Sequence, residues 1–302
     1  MVAATVYFLQ QFQRIDISLP WQPLSVIGIA VAFYLGFKNN ASYDRTWEAR
    51  KVWGGIVNSS RTFGAASVAF IQGENDAVIK KKIIYRHLAW LTALRFQLRL
   101  AREWEHNEDR LKGVYFPETS DKYFENLDKE LCQFLDKEEA LACLSKTNIA
   151  TQILKNQSIA LQALKDENYF DNFRQMELHK LIASFYDDQG RSERIKNFPF
   201  PRQYASTALW QTVIFAALIP FGMVNVFADG DALYFWMSVP FSALIIWMFF
   251  LMEKIGDHSE NPFEGSYNDT PITSISRSIE IDLRQMIDDG NIPAPLTSQQ
   301  GI

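Results

Sequence analysis

Cysteine is nearly missing from this chain. Two occur in 302 residues, Cys132 and Cys143. Neither stands at a metal-ligand spacing and both fall in a charged stretch, so they read as reduced thiols in a reducing compartment, not as a disulfide framework. The four histidines, His87, His106, His179 and His258, are scattered with no partner three or four residues away, which argues against a metal site. No Gly-x-x-x-x-Gly-Lys phosphate cradle and no nucleophile elbow occur. The sequence therefore reads as non-enzymatic, with no metal and no cofactor. A net charge of −5 removes nucleic acid from the partners, because phosphate binding needs a basic surface. Gly/Ser-rich tethers, internal repeats and convincing period-two alternation are also lacking, so neither a linked two-domain chain nor a sheet is expected. Met1 leads almost directly into apolar residues without a basic n-region or a small-residue cleavage site, which speaks against a signal peptide.

What remains is apolar, aromatic and helical. Aromatic residues make up 14% of the chain, with 23 Phe and 8 Trp, a content that suits interfacial belts. Four uncharged apolar runs stand out: Val2 to Leu9, Ile17 to Phe37, Ser206 to Phe227, and Leu233 to Met252. A crossing helix needs roughly 20 residues. The last three runs qualify, with a kink expected at Pro23 in the second. The first is too short and reads as the remnant of a further span. Ala228 to Ala232 joins the last two runs into a hairpin. Charged, helix-periodic segments fill the space between the second and third runs: Asp76 to Trp104, Tyr123 to Glu167 and Asn172 to Asp188. One more amphipathic segment, Ile272 to Ile287, lies in the tail.

The expected organisation is an all-α integral membrane protein in four parts. Residues 1–37 and 206–252 are membrane segments, 38–205 form a large cytoplasmic helical region, and 253–302 are a cytoplasmic C-terminal segment. Of 30 Lys and Arg, only Arg14 lies between the first two runs and none lies between Ser206 and Met252. Basic residues stay on the cytoplasmic side, which places the large segment and the tail there.

Within the second run, Ile29, Phe33 and Phe37 recur every four residues and form one stripe. Gly28, Ala32 and Gly36 repeat beside it, and small residues let helices approach closely in lipid. In a symmetric ring of such helices the stripe could face an axis, where bulky apolar side chains gate a narrow pore by dewetting. Spacing alone favours the plainer reading, a lipid- or core-facing stripe. Asp229 and Asp231 would stand at an outer mouth, raising the local cation concentration or merely keeping a turn in water.

The residues following the stripe carry a resemblance. Gly36-Phe-Lys-Asn-Asn-Ala-Ser-Tyr-Asp-Arg-Thr-Trp-Glu-Ala-Arg50 leads to Val52-Trp-Gly54. Later come Phe198-Pro-Phe-Pro201, Ile219-Pro-Phe-Gly222, Glu260-Asn-Pro-Phe263 and Asn268-Asp-Thr-Pro271. This ordered set resembles the bacterial branch of the bestrophin family from about Leu19 to Met286. The resemblance implies a homopentameric ion channel in the bacterial inner membrane, with permeant inorganic ions and the lipid bilayer as partners. It implies a hydrophobic neck at Ile29, Phe33 and Phe37, and a cytoplasmic aperture whose nearest match is Ile153 in Ala150-Thr-Gln-Ile-Leu154. Chloride or other monovalent anions are the permeant species it suggests first, and monovalent cations are the alternative.

Two departures from the family pattern are visible. The acidic run that binds calcium in eukaryotic members is replaced by Glu264-Gly-Ser-Tyr-Asn-Asp269. Two acids fall short of the oxygen ligands a calcium site needs, so no calcium clasp is expected. The other departure is at the N-terminus, where members carry a cytoplasmic helix and a complete first span before the point at which this sequence starts.

Overall fold

A computed structural model describes residues 5, 8, 18–100, 102, 126–228, 231–265 and 269–296. Every element among them is helical and none is a strand. Two compact units divide the chain, one of residues 1–45 and 199–260, the other of residues 46–198 and 261–302. Three helical stretches are long and apolar enough to cross a membrane: Trp21–Phe70, Arg202–Val226 and Leu233–His258. The first run, Val2 to Leu9, lies outside the described residues except for Thr5 and Phe8.

Helix α1 (Trp21–Phe70) contributes to both units. Pro23, where the sequence suggested a kink within the span, falls in the first turn of this helix. There its missing N–H would have no intrahelical acceptor and its fixed φ already suits a helix. Burial along α1 keeps one rhythm: Leu24, Gly28, Val31, Leu35, Lys38 and Ser42 are buried, then Ala49, Trp53, Ile56, Ser60, Phe63 and Ser67. Steps of three and four keep one face of a helix inward.

In the first unit, α1 packs with α7 (Arg202–Val226), a short α8 (Ala232–Trp236) and α9 (Ser238–His258). Leu24, Val31 and Leu35 form a core with Phe215, Ile219, Met223 and Phe235. The fourth apolar run is thus two helices rather than one, broken at Met237. Outward residues of α9, including Phe241, Leu244, Trp247, Met248, Leu251 and Ile255, are large and apolar, as lipid contact requires.

The second unit holds the rest of α1 with α2 (Asp76–Arg99), α3 (Leu127–Leu131), α4 (Lys137–Leu144), α5 (Ile149–Asp166), α6 (Asn172–Asn197) and α10 (Ile272–Met286). The expected segment Tyr123 to Glu167 is therefore split into three helices. Two short connections do this: residues 132–136, where the turn ends in the extended Asp136, and residues 145–148, where the Asn148 side chain accepts a hydrogen bond from the Thr151 N–H and starts α5 afresh. At the centre, His87, Trp90, Phe63 and Phe185 stack with ring centroids 4.5 to 5.7 Å apart. The His87 Nε2 lies 2.9 Å from Ser60 Oγ. Burial drives the His87 pKa from 6.5 down to about 3, so the ring is neutral at physiological pH.

Candidate ion pathway

Where α1 buries Leu24, Gly28, Val31 and Leu35, its opposite side is left bare. Ile29, Phe33 and Phe37 are 70, 67 and 61% exposed. Each residue of a helix turns by about 100°, so four-residue steps drift slowly and the three side chains make one narrow ridge. The Phe33 and Phe37 rings meet edge to face, with centroids 4.6 Å apart and planes at 83°, an arrangement that suits their quadrupoles. Three bulky apolar side chains in one bare ridge are what a monomer in water would avoid. Lipid, or copies of the same ridge, could cover them.

The small residues beside the ridge do not behave as one set. At Gly28 a Cβ would come within 2.7 Å of Phe215 Cζ, so this glycine admits an aromatic ring inside the unit. At Gly36 a Cβ would meet nothing within 4 Å. The repeat that suggested a single close-packing face is thus shared between an internal contact and an open surface.

Charge near the ridge is arranged just as unevenly. Lys38 follows Phe37 directly but points to the buried side. Its Nζ lies 3.0 Å from Glu253 Oε1 and 3.8 Å from Asp257 Oδ1, and the Lys38 and Glu253 side chains are only 1 and 8% exposed. Gly256, one turn along α9 from Glu253, leaves room for the Asn39 side chain, against which a Cβ would collide. Arg45 also turns aside, its Nε donating to the Glu260 carbonyl at 2.8 Å. The sequence reading missed the Lys38–Glu253 pair. The available signal was a lysine continuing the buried rhythm of α1, an expensive position unless a carboxylate answers it.

The remaining expected site residues fall elsewhere. Asp231 is the N-cap of α8, accepting the Tyr234 N–H at 2.9 Å. Its placement accounts for it as a turn-capping residue. Asp229 lies outside the described residues.

Ile153 needs correction as an aperture residue. It is fully buried in the second unit, on the inward face of α5 with Ala150, Leu154, Gln157, Leu161 and Leu164. A side chain with no exposed surface in its own subunit has none to offer a pore. Packing of α5 against α2 and α6 turns Ile153 inward. On the same helix Ile159 is exposed and Ile149 partly so.

Asp269, the second acid of the segment after Asn-Pro-Phe, is engaged by protein groups. It accepts the Gly265 N–H, and Arg99 Nη1 lies 3.6 Å from it, both side chains being almost fully buried. Arg99 Nη1 also donates to the Phe263 carbonyl at 3.3 Å. Among the described residues no group of three or more His, Cys, Asp or Glu is placed to hold a metal.

Residues 1–285 match the family model for bacterial and fungal bestrophin proteins. The chain belongs to the bestrophin family. A voltage-dependent anion channel-forming protein of Escherichia coli, YneE, is 26% identical over 293 residues, covering 97% of this chain and 85% of its own length. A protein of the same description from Ralstonia nicotianae is 29% identical over 274 residues, 90% of this chain and 79% of its own. Among solved structures, a bacterial bestrophin homologue from Klebsiella pneumoniae superposes with a TM-score of 0.80 over 96% of both chains at 22% identity. That likeness establishes the bestrophin fold.

Proposed function

We propose that five copies of this chain form an ion channel whose axial pore is constricted by Ile29, Phe33 and Phe37. The bare apolar ridge carries this reading, because the opposite face of the same helix is already fully used within the subunit. Brought around an axis, five ridges make a narrow hydrophobic neck that holds water poorly and blocks ions until it widens or wets. The large apolar faces of α7 and α9 then meet lipid, and the charge-rich second unit stands in the cytoplasm of a bacterial inner membrane, as the distribution of basic residues favours. Small monovalent anions are the proposed permeant species. The relatives described as voltage-dependent anion channel-forming proteins support them, and so do the phenylalanine edges, which carry the positive part of each ring quadrupole.

The deciding measurement is the reversal potential of the purified oligomer in a planar bilayer under a sodium chloride gradient. Reversal near the chloride equilibrium potential is the expected result. Reversal near the sodium potential would keep the channel and overturn the anion assignment. Absence of current from an assembled oligomer would overturn the channel itself and favour a membrane scaffold.

A further inference from the structure

We propose that Asp44 places a ring of five carboxylates just beyond the neck, and that this ring is the charge determinant that limits the channel's preference for anions over cations. The inference rests on the neck reading above, since it needs the ridge of α1 to face the axis. Asp44 lies seven residues after Phe37 and eleven after Phe33. At about 100° per residue it falls between those two side chains in angle, and at 1.5 Å per residue about 10 Å further along the helix. Whatever faces the axis at the neck is therefore continued by Asp44.

Its isolation makes this position matter. From Trp21 to Arg45 the only ionisable side chains with formal charge are Lys38, Asp44 and Arg45. Lys38 is turned about a third of a revolution away from Asp44 and neutralised by Glu253, and Arg45 is turned aside to the Glu260 carbonyl. Asp44 is exposed, and no hydrogen bond or ion pair engages it among the described residues. Asn40, on the same face, is exposed and uncharged. The stripe thus carries one formal charge per subunit in this unit, and symmetry would make it five. Rings of acidic side chains are a general device for favouring cations. Five carboxylates about 10 Å from an ion, screened over a Debye length of about 8 Å at 0.15 M salt, alter the permeability of either sign of ion by about threefold.

The test compares reversal potentials of the assembled wild-type, Asp44→Asn and Asp44→Glu channels in sodium chloride gradients near 0.15 M and near 1 M. Because the two signs of ion are shifted about threefold in opposite senses, Asp44→Asn is expected to raise the anion-to-cation permeability ratio by up to about ninefold at the lower salt. The difference should shrink at the higher salt, and Asp44→Glu should stay near wild type. An unchanged ratio in conducting Asp44→Asn channels overturns the proposal, whereas a Phe33→Ala channel with wild-type conductance would overturn the neck reading instead. Should Asp44→Asn fail to assemble, Asp44→Cys in a background lacking Cys132 and Cys143 allows charge to be added after assembly. Cationic and anionic thiol reagents must then move the ratio in opposite directions, and equal effects overturn the idea.

Discussion

One helix, α1, passes through two settings, and its two halves differ only on the side that does not pack. Inward, both halves keep the same three-and-four rhythm, Leu24, Val31 and Leu35 in one, Trp53, Ile56 and Phe63 in the other. Outward, the first half shows Val26, Ile29, Phe33 and Phe37, and the second shows Arg50, Lys51, Asn58 and Arg61. The units repeat the contrast. In the first, α9 exposes Phe241, Leu244, Trp247 and Ile255, and the ion pairs found there centre on the buried Lys38. In the second, α6 exposes Glu177, Lys180, Asp187 and Arg191. Surface pairs such as Lys82–Asp136 and Arg194–Glu48 are spread over that unit. Packing sets the inward pattern of a helix, and the surrounding medium sets the outward one. The rare charge placed inward in the apolar unit and the rare uncharged ridge facing outward are then the features that need a specific explanation.

The sharpest way to break this contrast is to remove half of the buried pair. Lys38→Met leaves the buried Glu253 without its cation, and a loss of about 3–5 kcal/mol is expected, the usual cost of orphaning a buried charge. Thermal unfolding of the oligomer in detergent would register it. Lys38→Met combined with Glu253→Met should recover much of the loss; no recovery would mean that the pair acts through something other than its charge.

A second and comparable effect belongs to the polar unit. Its central histidine is kept neutral by burial, with a pKa of about 3 against 6.5 for a free imidazole. Between those values the unfolded chain binds a proton that the folded chain does not. Stability contributed by this site is therefore complete above pH 6.5 and is lost as pH falls through that window, reaching roughly 4 kcal/mol at the acid end. Denaturant midpoints at pH 7.5, 5.5 and 4 should fall in that order, and His87→Phe should flatten the series. A series equally steep in His87→Phe would assign the acid sensitivity to other groups.

The comparison most informative about function, which includes the smallest stability effect, comes from truncating one buried and one bare residue. Ile153→Ala is expected to cost about 2–5 kcal/mol through the lost contacts and the cavity left behind, with unitary current unchanged in the channels that assemble. Phe33→Ala, at an exposed position, should cost less than about 1 kcal/mol in the unassembled subunit and yet increase the current. The reverse pattern would restore Ile153 to the pore and remove Phe33 from it.

These pairs also mark how far sequence reasoning reached. The apolar runs, the four-residue ridge of α1, the helical nature of the chain and the ordered motifs of the bestrophin family are local properties. A run of twenty uncharged residues or a repeat of four is complete within its own segment, so length and spacing alone made them legible. Ile153 and Gly28 show the limit. Each sits in a periodic helix, but which face points inward depends on the packing of α5 against α2 and α6 in one case and on Phe215 of α7 in the other. The same holds for Lys38, whose charge is answered by a carboxylate 215 residues away in sequence. Sequence by itself determined the kind of helices, their family and the four-residue stripe on α1. Tertiary structure alone decided the rotation of each helix and the fate of each buried charge, because both depend on side chains brought together from distant parts of the chain.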